Sequence, residues 1–204
     1  MEAKIKFLSD GHELEGRLEK RGLQKGVVIT HPHPLYGGNM DNNVVEAIDR
    51  VYRQNGYTTL RFNFRGVGNS QGSHGNGIGE QADVHAAVSY LTDLNIEQID
   101  LAGYSFGAWV NALTAITDPS FTNMIMVSPP LAFIDFGAVS DLNRLRLVVT
   151  GSRDDIAPPD LIEKSYGGWN SEAQFEVISG ADHFYLGYID KLEAILTAYL
   201  EGKE

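Results

Sequence analysis

Ser105 lies in the pattern Gly103-x-Ser105-x-Gly107, which is typical of a serine that acts as a nucleophile. An apolar run that predicts a strand precedes this pattern, and an apolar run with helical spacing follows it. A serine on such a sharp turn adopts a strained backbone conformation, so glycine is needed two residues away on either side. The pattern therefore predicts a nucleophile at Ser105. The alternative is a tight strand-to-helix turn that contains an unreactive serine.

A nucleophilic serine needs a base, and the base needs an acid that orients it. Asp154 and Asp155 follow the strand-like segment VVTG, and His183 follows the strand-like segment VIS. Functional groups of α/β sheets lie in the loops beyond the carboxyl ends of the strands. Alone, either aspartate could cap the next helix, and His183 could be an ordinary loop histidine. Together, the order serine, aspartate, histidine predicts a catalytic triad.

The loop HPHPLYGG, after the third predicted strand, is expected to supply a backbone N–H to the oxyanion of the reaction. Proline has no N–H, so the candidate donors are His33, Leu35 and Tyr36. Phe106 follows the serine at the start of a predicted helix and is expected to supply the second N–H. His31 and His33 could instead bind a metal, but their acidic and histidine neighbours lack the spacing of a ligand set. We therefore expect no metal.

The rest of the chain predicts one α/β domain over residues 1–204, with about seven to eight strands and helices on both faces of the sheet. The first 20 residues predict an antiparallel hairpin around Ser9-Asp10-Gly11. Strand-like and helix-like segments then alternate, which predicts a mostly parallel, twisted sheet. The closing amphipathic helix is expected to run from Leu186 to Leu200. Residues 128–143 are too few for a helical cap, so the sequence predicts an open site without interfacial activation.

The composition excludes several classes of partner. The formal net charge is −11, and the 16 lysines and arginines are scattered, which argues against binding to nucleic acid or to an anionic membrane. The absence of cysteine excludes disulfides, thiol chemistry and zinc–thiolate sites. The N-terminus lacks the apolar core of a signal peptide, and no apolar run approaches the roughly 20 residues of a membrane span. We expect a cytoplasmic protein that needs no cofactor.

The glycine-rich segment FNFRGVGNSQGSHGNGIGE follows a strand and could suggest a nucleotide-binding loop. In the dinucleotide motif, Gly-x-Gly-x-x-Gly opens directly into a helix, whereas here Gly66-x-Gly68 is followed by Gly72 at the wrong distance. The lysine of a Walker motif is also absent. We predict a shaped loop beside the active site, which Arg65 anchors through bidentate contacts.

Five segments resemble motifs of the α/β-hydrolase superfamily in the same order: HPHPLYGG, LRFNFRGVGNSQG, GYSFGAW, GSRDDIAP and GADHF. Within that superfamily, the chain resembles the small lidless bacterial hydrolases that are close to dienelactone hydrolase. The resemblance implies Ser105 as the nucleophile, His183 as the base and Asp154 as the acid, with Asp155 as the alternative acid. It also places the oxyanion N–H on Leu35. Dienelactone hydrolases use a cysteine nucleophile, so this sequence resembles the serine esterase branch instead.

The expected activity is hydrolysis of carboxylic esters with short acyl groups, through an acyl-enzyme intermediate. The same residues could act on thioesters or peptides, and a non-catalytic binding protein could keep the same fold. Phe133 and Phe136 are expected either to line the acyl side of the site or to pack in the core. The predicted partner is a small-molecule ester, and the formation of a homodimer is left open.

Overall fold

A computed structural model of the chain describes residues 1–118 and 120–202. Pro119, Lys203 and Glu204, which belong to the predicted domain, lie outside these ranges. The strands are β1 Ala3–Ser9, β2 His12–Glu19, β3 Lys25–Thr30, β4 Thr58–Phe62, β5 Gln98–Tyr104, β6 Asn123–Val127, β7 Leu145–Gly151 and β8 Gln174–Ile178. The α-helices are α1 Asn43–Gln54, α2 Ile78–Asp93, α3 Phe106–Thr117, α4 Pro159–Trp169 and α5 Ile189–Glu201.

The eight strands of the described residues form one sheet in the order β1-β2-β4-β3-β5-β6-β7-β8. Strands β3 to β8 run parallel to one another, whereas β2 is antiparallel to both β1 and β4. Asp10 and Gly11 join β1 to β2 with φ values of 46° and 79°, as in the two-residue turns that suit hairpins. The predicted fold class is confirmed: a mostly parallel sheet with an N-terminal antiparallel hairpin.

Helices cover both faces of the sheet because side chains of each strand alternate between the two faces. In β3, Val28 packs into a core cluster that includes residues of α2 and α3, while Val27 and Ile29 pack into a second cluster with residues of α1 and α5. Both faces of the parallel strands are therefore buried, which explains why these strands are continuous apolar runs in the sequence. This packing places the carboxyl ends of β3 and β5 to β8 at one edge of the sheet.

Residues 128–144, between β6 and β7, contain neither a helix nor a strand, so the predicted absence of a cap domain is confirmed. The closing helix α5 begins at Ile189 and not at Leu186. Gly187 has a φ of 76°, a left-handed conformation that interrupts the helix, and Leu186 is exposed. Within the described ranges, no helix has the length and apolar character needed to span a bilayer.

Candidate active site

Ser105 lies on the sharp turn between β5 and α3, with φ 55° and ψ −120°. A Cβ atom on Gly103 would lie 2.5 Å from Cα of Ala108, and a Cβ atom on Gly107 would lie 2.6 Å from the backbone oxygen of Thr30. Neither backbone atom can move without displacing a strand or a helix. The two glycines therefore allow the chain to turn sharply and present the Ser105 side chain beyond the end of the sheet.

His183 contacts both of its predicted partners. Its Nε2 atom lies 2.9 Å from Oγ of Ser105, and its Nδ1 atom lies 2.9 and 3.0 Å from the two carboxylate oxygens of Asp154. All three residues are buried. Asp155 is exposed, although it is the next residue along the chain. The structure thus brings Ser105, His183 and Asp154 together and leaves Asp155 outside this group.

The surroundings of Asp154 keep its carboxyl group charged. Oδ1 accepts hydrogen bonds from the backbone N–H groups of Ile156 and Ala157 at 3.0 and 2.7 Å. Burial alone would raise the pKa of Asp154, but the hydrogen bonds from His183 and Ala157 outweigh burial and lower the pKa below its ordinary value. A carboxylate can only accept hydrogen bonds, so Nδ1 of His183 carries the proton. The unprotonated Nε2 is then free to accept the proton of Ser105.

Phe106 is the first residue of α3, so its backbone N–H has no acceptor within the helix, and Phe106 lines the pocket that contains Ser105. The positive end of the helix dipole lies at the same place. A negative charge that develops near Ser105 would therefore be stabilised on this side. The sequence assigned an oxyanion N–H to Phe106, and that role stays a prediction.

Leu35 does not lie where the sequence placed it. Its side chain is 70% exposed, it is not part of the pocket wall at Ser105, and its N–H donates to Nδ1 of His33 at 3.2 Å in a short 3₁₀ turn, Pro34–Tyr36. The N–H of Tyr36 donates to the carbonyl oxygen of His33. Among the three candidate donors, His33 is the one whose N–H has no acceptor in the described residues, and it lines the pocket.

His31 has a structural environment that differs from that of a metal ligand. It is fully buried; its Nε2 accepts the N–H of Phe64 at 3.0 Å, and its Nδ1 contacts the carbonyl oxygen of Pro32 at 2.7 Å. Burial lowers the pKa of His31 to about 4, so the ring is neutral. Both ring nitrogens are occupied by the backbone, which leaves neither for a metal. Within residues 1–118 and 120–202, no three metal-binding side chains are grouped together.

Ser105 and His183 line a pocket of about 540 Å³, together with His33 and a set of mostly apolar residues. Phe133 projects into this region with 75% of its surface exposed, and Phe184 and Tyr36 are also exposed at the pocket. Phe136 is instead buried, with its ring 5.4 Å from that of Trp169. The sequence left two alternatives for these phenylalanines, and each holds for one of them. Phe133 lines the pocket, and Phe136 packs in the core.

Arg65 anchors the glycine-rich loop as predicted. Its Nε and Nη2 donate to the carboxylate of Asp83 in α2 at 2.8 to 3.1 Å. The far end of the loop is held by Glu80, which is fully buried and accepts the N–H groups of Gly75 and Gly77 at 2.8 Å each. The prediction that Arg65 makes bidentate contacts is confirmed. The role of Glu80 was missed, because an acidic residue near the start of a helix is common in any sequence.

The glycine-rich loop also reaches the active site, which the sequence did not indicate at the level of residues. The ring of His74 lies 5.0 Å from that of His33 and 5.5 Å from that of Phe106. Burial and the nearby His74 lower the pKa of His33, so this ring is neutral and its Nδ1 can accept the N–H of Leu35. The loop thus packs against the two segments that would hold the oxyanion.

Comparisons with known proteins agree with this fold. No protein-family model matches the chain. The protein RP471 of Rickettsia prowazekii is 32% identical over 208 residues, which cover 96% of this chain and 87% of the relative. An α/β serine hydrolase homologue from Coxiella burnetii is 33% identical and has a TM-score of 0.89, with 96% of each chain covered.

A third relative bears on the missing cap. The protein XC6422 of Xanthomonas campestris, an α/β serine hydrolase without a lid, is 28% identical with a TM-score of 0.89 over 98% of this chain and 94% of the relative. Residues 128–144 of this chain likewise contain no helix that could form a lid. The chain belongs to the α/β-hydrolase superfamily, among its small serine hydrolases that lack a lid.

Proposed function

We propose that this protein is a serine esterase that hydrolyses carboxylic esters through Ser105, His183 and Asp154. The observation that carries the proposal is the continuous series of contacts from Asp154 through His183 to Oγ of Ser105, each at 2.9 to 3.0 Å. A serine hydroxyl reacts only when a base removes its proton, and this arrangement supplies a base and the acid that orients it.

In the proposed reaction, Oγ of Ser105 attacks the ester carbonyl carbon while Nε2 of His183 takes the hydroxyl proton. The tetrahedral intermediate collapses when the bond to the alcohol breaks, and His183 returns the proton to the leaving alcohol. Water then attacks the acyl group on Ser105, with His183 again as the base, and the carboxylic acid is released. Asp154 stays charged throughout and stabilises the imidazolium that forms twice in each cycle.

The proposed oxyanion donors are the N–H groups of Phe106 and His33. Both residues line the pocket at Ser105, and neither N–H is used by the described residues around it. His33 replaces Leu35 in this role, because the N–H of Leu35 is already donated to the His33 ring. Two preorganised N–H donors are the usual number in such sites, and the loss of one typically costs about 10²- to 10³-fold in kcat.

The pocket supports a substrate with an apolar acyl group. Its volume of about 540 Å³ falls within the range of small-molecule sites, so it can hold more than an acetyl group. We therefore extend the expected range from short to medium-length acyl chains, which would lie against Phe133 and Ile134.

The test is a comparison of p-nitrophenyl acetate, butyrate and octanoate with a matched thioester and an aminoacyl anilide. We expect the esters to have the highest kcat/KM, and Ser105→Ala to abolish turnover of all of them. A thioester preference of about tenfold or more would change the substrate class and leave the triad intact. Failure of a well-folded protein to hydrolyse any of these probes would refute the proposed function.

A further inference from the structure

Three residues at the active site have backbone conformations that are rare for their type. Ser105, Ser128 and Tyr185 have φ values of 55°, 47° and 54°. The other described non-glycine residues with positive φ are aspartate or asparagine, which tolerate this conformation: Asp10, Asn76, Asn95 and Asp141. A positive φ in a bulky residue such as tyrosine is an outlier, and such strain persists only where surrounding contacts enforce it.

Ser128 and Tyr185 enforce each other's position. Their hydroxyl oxygens are 2.7 Å apart, although the residues are 57 positions apart in the chain, and both side chains are completely buried. Ser128 follows β6, and its N–H donates to the carbonyl oxygen of Val149 in β7 at 2.7 Å. The pair therefore ties the loop that carries His183 to the rigid edge of the sheet.

The same pair reaches the acid of the triad. Burial raises the pKa of Asp154, while hydrogen bonds lower it, and the Ser128 hydroxyl contributes to this lowering. Between Ser128 and Tyr185, either hydroxyl can donate to the other.

A second tyrosine holds the backbone of His183 itself. The hydroxyl of Tyr104, the residue just before the nucleophile, donates to the carbonyl oxygen of His183 at 2.7 Å. The Tyr104 ring also packs against the imidazole, with 5.4 Å between ring centroids, and against the Tyr185 ring at 6.4 Å. Residues 179–188, between β8 and α5, contain no helix or strand, so these contacts replace the support that regular structure would give.

We propose that Ser128 and Tyr185 form a positioning pair that holds the His183 loop so that the imidazole stays between Ser105 and Asp154. This inference rests on the proposed function. Neither residue touches the reacting atoms, so the pair acts through the loop that carries His183. A displacement of about 1 Å in a catalytic group can cost about 100-fold in rate, which sets the scale of the expected effect.

The variants Tyr185→Phe and Ser128→Ala each remove one hydroxyl and keep the rest of the side chain. We expect each to lower kcat about 10- to 100-fold with KM changed less than about twofold, and to slow fluorophosphonate labelling of Ser105 by a similar factor. The double variant should lose no more than the worse single variant, because the two hydroxyls act as one unit. Tyr90→Phe, in α2 and packed on Phe7, is the matched control.

A direct probe separates positioning from general stability. The Nδ1 proton of His183, hydrogen-bonded to Asp154, should give a low-field ¹H NMR signal that is absent in His183→Gln and shifted or broadened in Tyr185→Phe. Urea unfolding measured alongside shows whether each variant is folded under assay conditions. A folded Tyr185→Phe protein with wild-type kcat and an unchanged signal would overturn the positioning pair while the esterase proposal stands. A folded wild-type protein without ester turnover or labelling would overturn both.

Discussion

Replacement of Asp154 by asparagine tests whether Asp154 is the acid, because the change decides which ring nitrogen of His183 carries the proton. Oδ1 of Asp154 accepts two backbone N–H groups, from Ile156 and Ala157, so the amide oxygen of an asparagine would occupy that position. The amide NH₂ would then take the place of Oδ2 and face Nδ1 of His183, which lies 2.9 Å from Oδ2. An NH₂ group can only donate, so Nδ1 would become the acceptor and the ring proton would move to Nε2.

With its proton on Nε2, His183 cannot accept the proton of Ser105 at 2.9 Å. The side chains keep their places, but the base has the wrong tautomer. We therefore expect Asp154→Asn to lower kcat by about 10³- to 10⁴-fold, or about 4–5.5 kcal/mol in activation free energy, with KM nearly unchanged. The assay is steady-state hydrolysis of p-nitrophenyl butyrate, with circular dichroism to show that the variant is folded.

Asp155→Asn is the matched control, because it removes the same charge from the adjacent, exposed position. We expect it to change kcat less than about twofold. A large loss in Asp155→Asn together with a small loss in Asp154→Asn would refute the assignment. Equal, small losses in both would mean that neither aspartate orients His183.

Three further comparisons test the residues around the site. Burial lowers the pKa of His31 from 6.5 to about 4, so the stability that its neutral form provides is present above pH 6.5 and is lost as the pH falls toward 4. The wild type should lose about 3 kcal/mol more than His31→Gln between pH 7 and pH 4 in urea unfolding, and parallel pH curves would contradict this. Gly107→Ala, whose Cβ would meet backbone at 2.6 Å, should lower stability by about 1–3 kcal/mol and reduce activity. Gly167→Ala in α4, where a Cβ would meet open space, should raise stability by about 0.5–1 kcal/mol. Equal effects of Gly107→Ala and Gly167→Ala on stability would be evidence against the close approach of Gly107 to the backbone of Thr30. Phe133→Ala should lower kcat/KM for the octanoate ester about 10-fold with little change for the acetate ester. Phe136→Ala should mainly lower the free energy of unfolding. An unchanged ratio of the two kcat/KM values in Phe133→Ala would exclude this residue from the acyl site.

The elements of the fold could be predicted because each depends on local patterns. The apolar runs that form β3 and β5 are buried on both faces of the sheet, and helical spacing marks α1, where the side chain of Asn42 caps the first turn. The end of the chain was harder. Apolar spacing alone extended the closing helix back to Leu186, but the left-handed conformation of Gly187 starts it at Ile189.

The meeting of Ser105, Asp154 and His183 followed from their order on strand ends, but the choice between the two aspartates did not. Asp154 and Asp155 are chemically identical, and the turn after β7 decides which of them faces His183. The sequence assigned the oxyanion N–H to Leu35 and not to His33 for a related reason. The ring of His33 accepts the N–H of Leu35, and such a contact within a turn has no signature in the pattern of residue types.

Long-range contacts between ordinary residues were invisible in the sequence. The bond between Ser128 and Tyr185 joins two loops, and nothing in either segment marks the residue as unusual. Strained backbone angles, which single these residues out, are properties of the folded chain. The closeness to dienelactone hydrolases, the cytoplasmic location and the question of a homodimer stay predictions from the sequence.

Covalent labelling with a fluorophosphonate tests most directly whether Ser105 is activated by His183. The purified protein and its Ser105→Ala variant would be treated in parallel, and the product would be read by intact mass and peptide mapping. We predict one adduct per chain on Ser105 and none in the variant, since a serine hydroxyl attacks phosphorus at a useful rate only when a neighbouring base takes its proton. An unlabelled but folded wild-type protein, or an adduct that persists in Ser105→Ala, would contradict it.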